Sequence, residues 1–393
     1  FAISWSRAEA MNKVERLLAT NSEDEARQMF RLCTQDQWQY PYAKKELANG
    51  QWRQETAEIL YRPFDKRWTV FNRNVAVHRR ERVMRHMLAG KNLGITIGRA
   101  GQVINSQEWD IVFCTRNITE YNLYRRGGNN LFPLYLYPDA IRRGRFIAPI
   151  ADVSAPDKDA NTRISISGTR QVNLAPEFIS DFSTRLGMRW VPGSCDDCGS
   201  CGSCDSCDDC DGRCDRRQIF GPEDVLAYMY AIFYAPSYRK RYAAFLKVNF
   251  PRLPLTSNAL FFRALCKLGG RLIRLHLMEE QIPLITDYPI CGDNRVEMVR
   301  YIEAKHGAEK GQVWINATQY FEGVPSEAWT FHIGGYKVCQ KWLKDRKGRI
   351  LSYDEVIHYQ QLISLLAETS QVMQKIDETI ETYGGWPIDG KYL

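Results

Sequence analysis

Residues 222–248 read PEDVLAYMYAIFYAPSYRKRYAAFLKV, and this stretch decides the class of the C-terminal part. Gly221-Pro222 followed by Glu223 predicts a helix start, because proline suits the first turn and an acid suits the positive end of the helix dipole. Asp224 is not placed to cap it. The helix DVLAYMYAIFYA is followed by a second, SYRKRYAAFLKV, which stops before Asn249-Phe250-Pro251-Arg252. A third, ALFFRALCKLGGRLIRLHLM, carries an apolar stripe interrupted at Gly269 and Gly270. Beyond it EMVRYIEA and GQVWINATQYF read as strands, and the chain closes on a long helix capped by Ser352, with Leu, Ile, Val and Met at helical spacing.

Working back towards the N-terminus, residues 148–193 and the cysteine run after them form a polar segment of linker or surface-loop type. Before that lie NLGITIG, DIVFCT and LFPLYLY, short apolar runs separated by turn residues, which is the pattern of buried strands. RWTVF and VAVH flank Asn72 and Asn74 and predict a hairpin, and RRERVMRHML predicts a helix. At the start, two helices are expected, with Ser6 capping the first and Asn21 or Ser22 beginning the second. The expected class is α+β, a sheet-rich N-terminal half with a helix-rich C-terminal half. Its expected parts are a helical junction at 1–60, a sheet-containing part at 61–150, a linker with a Cys/Asp-rich loop at 151–220, and a helical support with a small sheet at 221–393.

A chain of 393 residues, 44% of them hydrophobic, can bury one large core or two ordinary ones. It opens on Phe1 without a signal-type stretch, so it is expected to be a piece of a longer polypeptide with no secretory leader. The longest apolar run, VLAYMYAIFYA, falls short of the roughly 18–20 residues that a membrane span needs, and no membrane is implied. Five cysteines outside the run (Cys33, Cys114, Cys266, Cys291 and Cys339) read as buried free thiols of a cytoplasmic protein.

The net charge of +7 is unevenly placed. Residues 51–150 hold 17 Lys and Arg against 8 Asp and Glu, and residues 331–350 hold six against one. Basic blocks that contain Trp68, Phe71, Tyr121, Tyr124 and Trp342 suit a phosphate backbone, since Lys and Arg release counterions and planar rings stack on bases. A solvated basic face is the competing reading.

The seven cysteines at 195, 198, 201, 204, 207, 210 and 214 are interleaved with seven aspartates. They lack the spacer between two ligand pairs that a structural zinc site needs. Cys204, Cys207, Cys210 and Cys214 match the spacing of an iron–sulfur loop, but Asp215 stands where proline usually follows. The aspartates would raise the thiol pKa values, and no apolar residue is present to shield a cluster. Expansion of a tolerated loop is therefore the leading reading. A metal set from Cys195, Cys198, Cys204, Cys207, Cys210 and Cys214, or a set of disulfides, is the alternative. Asp293 with Glu303-Ala304-Lys305 has the order of a metal-dependent nuclease, on a short and common pattern. The six histidines show no metal spacing, and phosphate-loop, dinucleotide-turn and nucleophile-elbow motifs are all missing from the sequence.

LYRPFDKRW at 60–68, RRERVMRHMLAGKNLGI at 79–95, LFPLYLYP at 131–138 and PEDVLAYMYAIFYAPSYRKRYAAFLKVNFPRLPL at 222–255 resemble the C-terminal region of type ISP restriction-modification enzymes. So do NATQYFEGVPSEAWTFHIGGYKVCQKWLKDRKGRILSYDEVIHYQ at 316–360 and GGWP at 384–387. The resemblance runs over most of the chain in the family's order, and the cysteine run departs from it. It implies a target-recognition-domain-like fold that reads double-stranded DNA for an upstream N6-adenine methyltransferase of the same polypeptide. S-adenosylmethionine, ATP and Mg are then expected only upstream, with no cofactor in this chain. The Asn-Pro-Pro-aromatic tetrapeptide and a glycine-rich S-adenosylmethionine loop are both missing here.

A recognition domain needs Arg, Lys, Asn or Gln at base edges, on a scaffold clamped to phosphates. Loops between the first-half strands carry Arg99, Gln102, Asn105, Gln107, Arg116, Asn117, Tyr121, Asn122, Arg125 and Arg126 as candidates for the grooves. Arg79, Arg80, Lys337, Lys341, Lys344, Arg346 and Lys347 are the candidates for phosphates. On a helix from Tyr336, Lys337, Lys341 and Lys344 share one face, while Val338 and Trp342 share another. The competing reading makes them cations that offset a helix dipole before a turn at Gly348.

Overall fold

Both N-terminal helices form where their caps predict in the computed structural model, which describes residues 1–32, 38–99, 108–125, 129–138, 170–192, 218–304 and 311–389. Helix α1 spans Arg7–Ala19 and α2 spans Glu23–Phe30. The hydroxyls of Ser6 and Ser22 accept from the N–H groups of Glu9 and Glu25, satisfying donors that the first turn leaves open. With α3 (Tyr40–Leu47) they close over Val14, Leu17, Ala43 and Trp52.

The next hairpin joins β1 (Thr56–Arg62) to β2 (Asp65–Val70), one strand earlier than the sequence pattern suggests. Its turn holds Phe64 at φ 62°, a left-handed conformation kept by burying the ring. The expected return strand at 75–78 does not form, because Asn72 folds the chain on itself. Its side chain accepts from the Asn74 N–H at 2.8 Å, and its carbonyl accepts from Val75 and Ala76. There follow α4 (Glu81–Leu88), β3 (Gly94–Ile97), β4 (Val112–Thr115), β5 (Ile118–Thr119), β6 (Asn130–Pro133) and β7 (Tyr135–Leu136). The expected strands β3 and β4 are buried along their whole length, which is why they read as continuous apolar runs. β5 adds to β1 in parallel, giving the order β2-β1-β5.

Beyond β8 (Gln171–Val172), which pairs with β7, the expected linker contains a helix, α5 (Pro176–Leu186). Pro176 begins it, Gly187 ends it at φ 62°, and Phe182 is fully buried, so a polar composition concealed one deeply set side. β9 (Arg189–Trp190) and β10 (Ile219–Phe220) pair in parallel. Phe220 and Phe262 both meet Phe182 edge-on, at 5.7 and 5.3 Å.

Helix α6 (Pro222–Tyr234) starts as predicted, and Asp224 contributes after all: its carboxylate accepts the Gly221 N–H at 2.9 Å. The second expected helix is broken at Tyr242 into α7 (Pro236–Arg241) and α8 (Ala243–Leu246). α9 (Ala259–Leu277) packs on α6 with Gly269 against the Ala227 carbonyl. β11 (Arg300–Ile302), β12 (Gly311–Trp314) and β13 (Tyr320–Val324) form an antiparallel meander. Then come α10 (Ser326–Thr330), β14 (His332–Ile333), β15 (Tyr336–Lys337), α11 (Val338–Lys344) and the long α12 (Tyr353–Thr382). Ser352 and Glu355 form a reciprocal cap at the start of α12. Ser352→Ala should lower stability by about 1 kcal/mol in a denaturant titration. An unchanged midpoint would show that the cap is redundant.

The chain divides into two compact units, 1–94 with 115–123 and 131–173, and 95–114 with 124–130 and 174–393. This differs from the expected boundary at 60, because hydrogen bonds in both directions between Ser4 and Trp68 tie the N-terminus to β2 in the same unit. No helix among the described residues is long and apolar enough to cross a membrane.

Candidate nucleic-acid interface

In the first unit two of the sequence candidates, Arg80 and Tyr121, meet at one exposed ring. Tyr121 is 48% exposed and lies 5.3 Å from the His78 ring, centroid to centroid. The Arg80 guanidinium sits 5.7 Å from the Tyr121 centroid and donates to the Thr119 hydroxyl at 3.2 Å. Burial pulls the Arg80 pKa down from the ordinary arginine value, against Glu120 and Tyr121. His78 and Arg80 both hold left-handed backbone, φ 54° and 47°, at non-glycine positions, where the conformation costs energy and persists only under local constraint. His78 was not expected to take part; no composition signal marks it, since its position comes from that backbone.

Other candidates of this unit are engaged within it. Arg79 donates to the Phe71 carbonyl at 3.1 Å and pairs with Glu81 at 2.7 Å. The Asn117 amide donates to Glu58 at 2.9 Å, which turns it away from the role of a free reader. Arg116 is exposed.

In the second unit the Arg125 N–H donates to the Gly334 carbonyl at 2.9 Å, bringing Arg125 beside the β14–β15 hairpin. The hairpin turns through Gly334 and Gly335 at φ 59° and 78°. Gly334 lies so close to Tyr124 that a Cβ there would sit 1.9 Å from the ring. Tyr124 is held in turn by a 2.6 Å bond to the Thr96 hydroxyl. Beneath the turn is buried Asp110, whose carbonyl accepts from Gly334 at 3.2 Å and whose carboxylate accepts from Gly335 at 3.4 Å. Burial pushes the Asp110 pKa up to about 6, with Arg239 and those N–H groups opposing. The consecutive glycines in HIGGYK are the one sequence signal for this support, and Asp110 itself carried none.

Lys337 is exposed at the end of the hairpin, and Lys344 and Lys347 are exposed beyond it. Lys337 precedes α11 instead of lying within it, so the shared helical face is shorter than expected. Lys341 pairs with Asp345 and lies 5.3 Å from the Tyr336 ring. Arg346 is not a surface cation. It is 5% exposed, stacks 3.4 Å from the Trp342 centroid, and bonds Glu355 at 3.2 Å and the Trp342 carbonyl at 3.2 Å. Its charge is spent fastening α11 to α12. Arg99 is exposed, 5.3 Å from the Phe250 ring. Gln102, Asn105, Gln107, Arg126 and the whole cysteine run lie outside the described residues.

Of the nuclease-like group, Asp293 accepts from the Arg295 N–H at 3.0 Å, Glu303 is exposed just past β11, and Lys305 lies outside the described residues. Among the described residues no three His, Cys, Asp or Glu side chains converge as a metal site. Of the five cysteines outside the run, Cys114, Cys266 and Cys339 are buried free thiols as expected, Cys291 is exposed on an irregular segment, and Cys33 lies outside the described residues.

The family model of the Type ISP C-terminal specificity domain matches residues 1–375. Three solved structures share the fold over 95% of this chain. One, the ATP-dependent Type ISP restriction-modification enzyme LlaBIII bound to DNA, is 15% identical with a TM-score of 0.56. A DrdV–DNA complex is 16% identical with a TM-score of 0.60. A nuclease-deletion mutant of the Type ISP enzyme LlaGI, in complex with a DNA substrate mimic, is 15% identical with a TM-score of 0.53. The chain spans 22%, 34% and 31% of their respective lengths. No curated protein matches the sequence. The match over nearly the whole chain, on a fold these structures share, places the protein in the Type ISP C-terminal specificity domain family.

Proposed function

We propose that this chain reads a short sequence in double-stranded DNA and so positions an upstream N6-adenine methyltransferase of the same polypeptide. On this reading S-adenosylmethionine, ATP and Mg serve the upstream domains, and the protein works in the cytoplasm. The observation that carries it is the hairpin of residues 332–337: a turn fixed from beneath by Asp110 and Tyr124, with exposed Arg125 and Lys337 beside it. Cations on a locked turn lose little conformational freedom on binding, which suits recognition of a rigid duplex. That three structures of similar fold are DNA complexes supports the same reading.

Selection from a randomised duplex pool, followed by a salt titration, tests it. One enriched asymmetric site, bound more weakly as salt rises, is the expected result. A pool that stays random would sink the reading. Arg125→Ala should cost about 1–3 kcal/mol and relax the preference at one base position, as for a guanidinium on a base edge. Lys337→Ala should weaken cognate and scrambled duplexes alike and reduce the salt slope by about 1. The reverse pattern would exchange the two roles.

A further inference from the structure

Between Asp224 and Glu279 the chain contains no acidic residue, yet it carries nine Lys and Arg. Some of these are matched by distant carboxylates: Arg263 lies 3.5 Å from Asp224, and Arg271 pairs with Glu280 and Glu368. Arg239 points inward, 5% exposed, and donates to the Phe233 carbonyl at 2.7 Å. Lys240, Arg241, Lys247 and Arg252 differ from all of these. Each is exposed, and among the described residues none has a carboxylate partner.

The fold brings the two ends of this segment together. Tyr238, buried on the inner side of α7, donates to the Arg252 carbonyl at 2.7 Å and draws the end of the segment back to its beginning. The Arg252 guanidinium lies 5.0 Å from the Phe245 ring, beside α8. Of the α12 acids near the start of α7, Asp377 is occupied by the N–H and hydroxyl of Ser237 at 3.0 and 2.5 Å, and neither Glu378 nor Glu381 forms an ion pair with these cations. Phe250, 39% exposed, lies beyond α8 with the Arg99 guanidinium 5.3 Å from its ring, which extends the cationic surface to the end of β3. Four like charges on one short exposed segment, with no carboxylate partner among the described residues, build a positive potential that a polyanion neutralises while releasing its own counterions.

We infer that α7, α8 and the turn to Arg252 form a sequence-independent clamp for the phosphate backbone of duplex DNA, distinct from the Arg125–Lys337 hairpin. The inference rests on the DNA-reading function proposed above. Such a clamp sets register and orientation, and leaves the choice of bases to other residues.

The test compares the 393-residue chain with a variant carrying Lys240→Gln, Arg241→Gln, Lys247→Gln and Arg252→Gln. Binding is titrated with salt on the selected duplex and on a scrambled one. The expected result is a slope of log affinity against log salt that is shallower by about three to four, from a value near 0.9 per phosphate contact. Affinity should fall at least about tenfold on both duplexes, with their ratio kept. The two half-variants, Lys240→Gln with Arg241→Gln and Lys247→Gln with Arg252→Gln, should each give about half the change in slope, and they cover the case in which the full variant fails to fold. A control with Lys45, Lys91, Lys267 and Lys375 changed to Gln removes the same charge from scattered positions and should leave a slope near the parent's. Slopes equal to the parent's in the clamp variants overturn the inference while the reading of DNA stands. So does a collapse of the cognate-to-scrambled ratio, which would make these residues base readers. A parent chain that binds neither duplex overturns both.

Discussion

Gly269→Val is expected to destabilise the helical unit by about 3 kcal/mol, among the larger losses a single substitution gives. The cause is backbone contact. A Cβ at position 269 would lie 1.9 Å from the Ala227 carbonyl oxygen and 2.7 Å from its carbon, and no rotamer change moves those atoms. Helices α6 and α9 would have to separate, opening the contact that buries Tyr228, Phe262 and Leu265. The neighbouring glycine is an internal control. At Gly270 a Cβ meets only the Arg274 guanidinium at 3.9 Å. Gly270→Ala should therefore stabilise the unit by about 1 kcal/mol, the helix propensity difference alone. Chemical denaturation of both variants checks the pair, and equal midpoints would mean that α6 and α9 do not approach as closely as described.

The second large effect concerns acid. His276 is fully buried, its ring nitrogens 2.6 Å from the Tyr230 hydroxyl and 3.2 Å from the Thr369 hydroxyl. Burial, with Arg239 adding to it, pulls its pKa down to about 3. An unfolded histidine takes up a proton near pH 6.5 while the folded one does not, so stability is lost as pH falls from about 6.5 towards 3, at about 1.4 kcal/mol per unit. Asp110 acts in the opposite sense. Its folded pKa of about 6 lies above the unfolded carboxyl's, so the folded state takes up its proton first and gains stability as pH falls from about 6 to 4. The two contributions offset each other in the parent. Asp110→Asn removes the compensating one, and the loss between pH 6.5 and 4 should steepen by about 2–3 kcal/mol relative to the parent. His276→Gln should make the loss shallower by a similar amount. A series of denaturant midpoints across this range reads both slopes. Parallel profiles for Asp110→Asn and the parent would show that the carboxyl is not held in the buried site described.

Much of the fold was legible because the signals are short-range. Ser6, Ser22 and Ser352 mark helix starts through bonds to the residue three positions on, and Gly221-Pro222 acts just as locally. The apolar runs that became β3 and β4 are visible without knowing their neighbours. The hairpin was misplaced because Asn72 resembles a turn between strands and is in fact the end of one. Helix α5 was missed because Ser, Asp and Thr dominate its surface while only Phe182 and Leu186 anchor its depth.

For the candidate interface, the sequence by itself determined the kinds of residue available: blocks of Arg and Lys with aromatics, and a Gly-Gly turn between His332 and Lys337. Only the tertiary structure decided which of them remain exposed and unspent. Arg346 and Arg79 look like surface cations in sequence, but Glu355 and Glu81 take their charge, while Lys240, Arg241, Lys247 and Arg252 pair with no carboxylate among the described residues. A cap is settled within one helical turn, whereas a cation's partner is whatever the folded chain brings within about 4 Å of it, from any distance along the sequence.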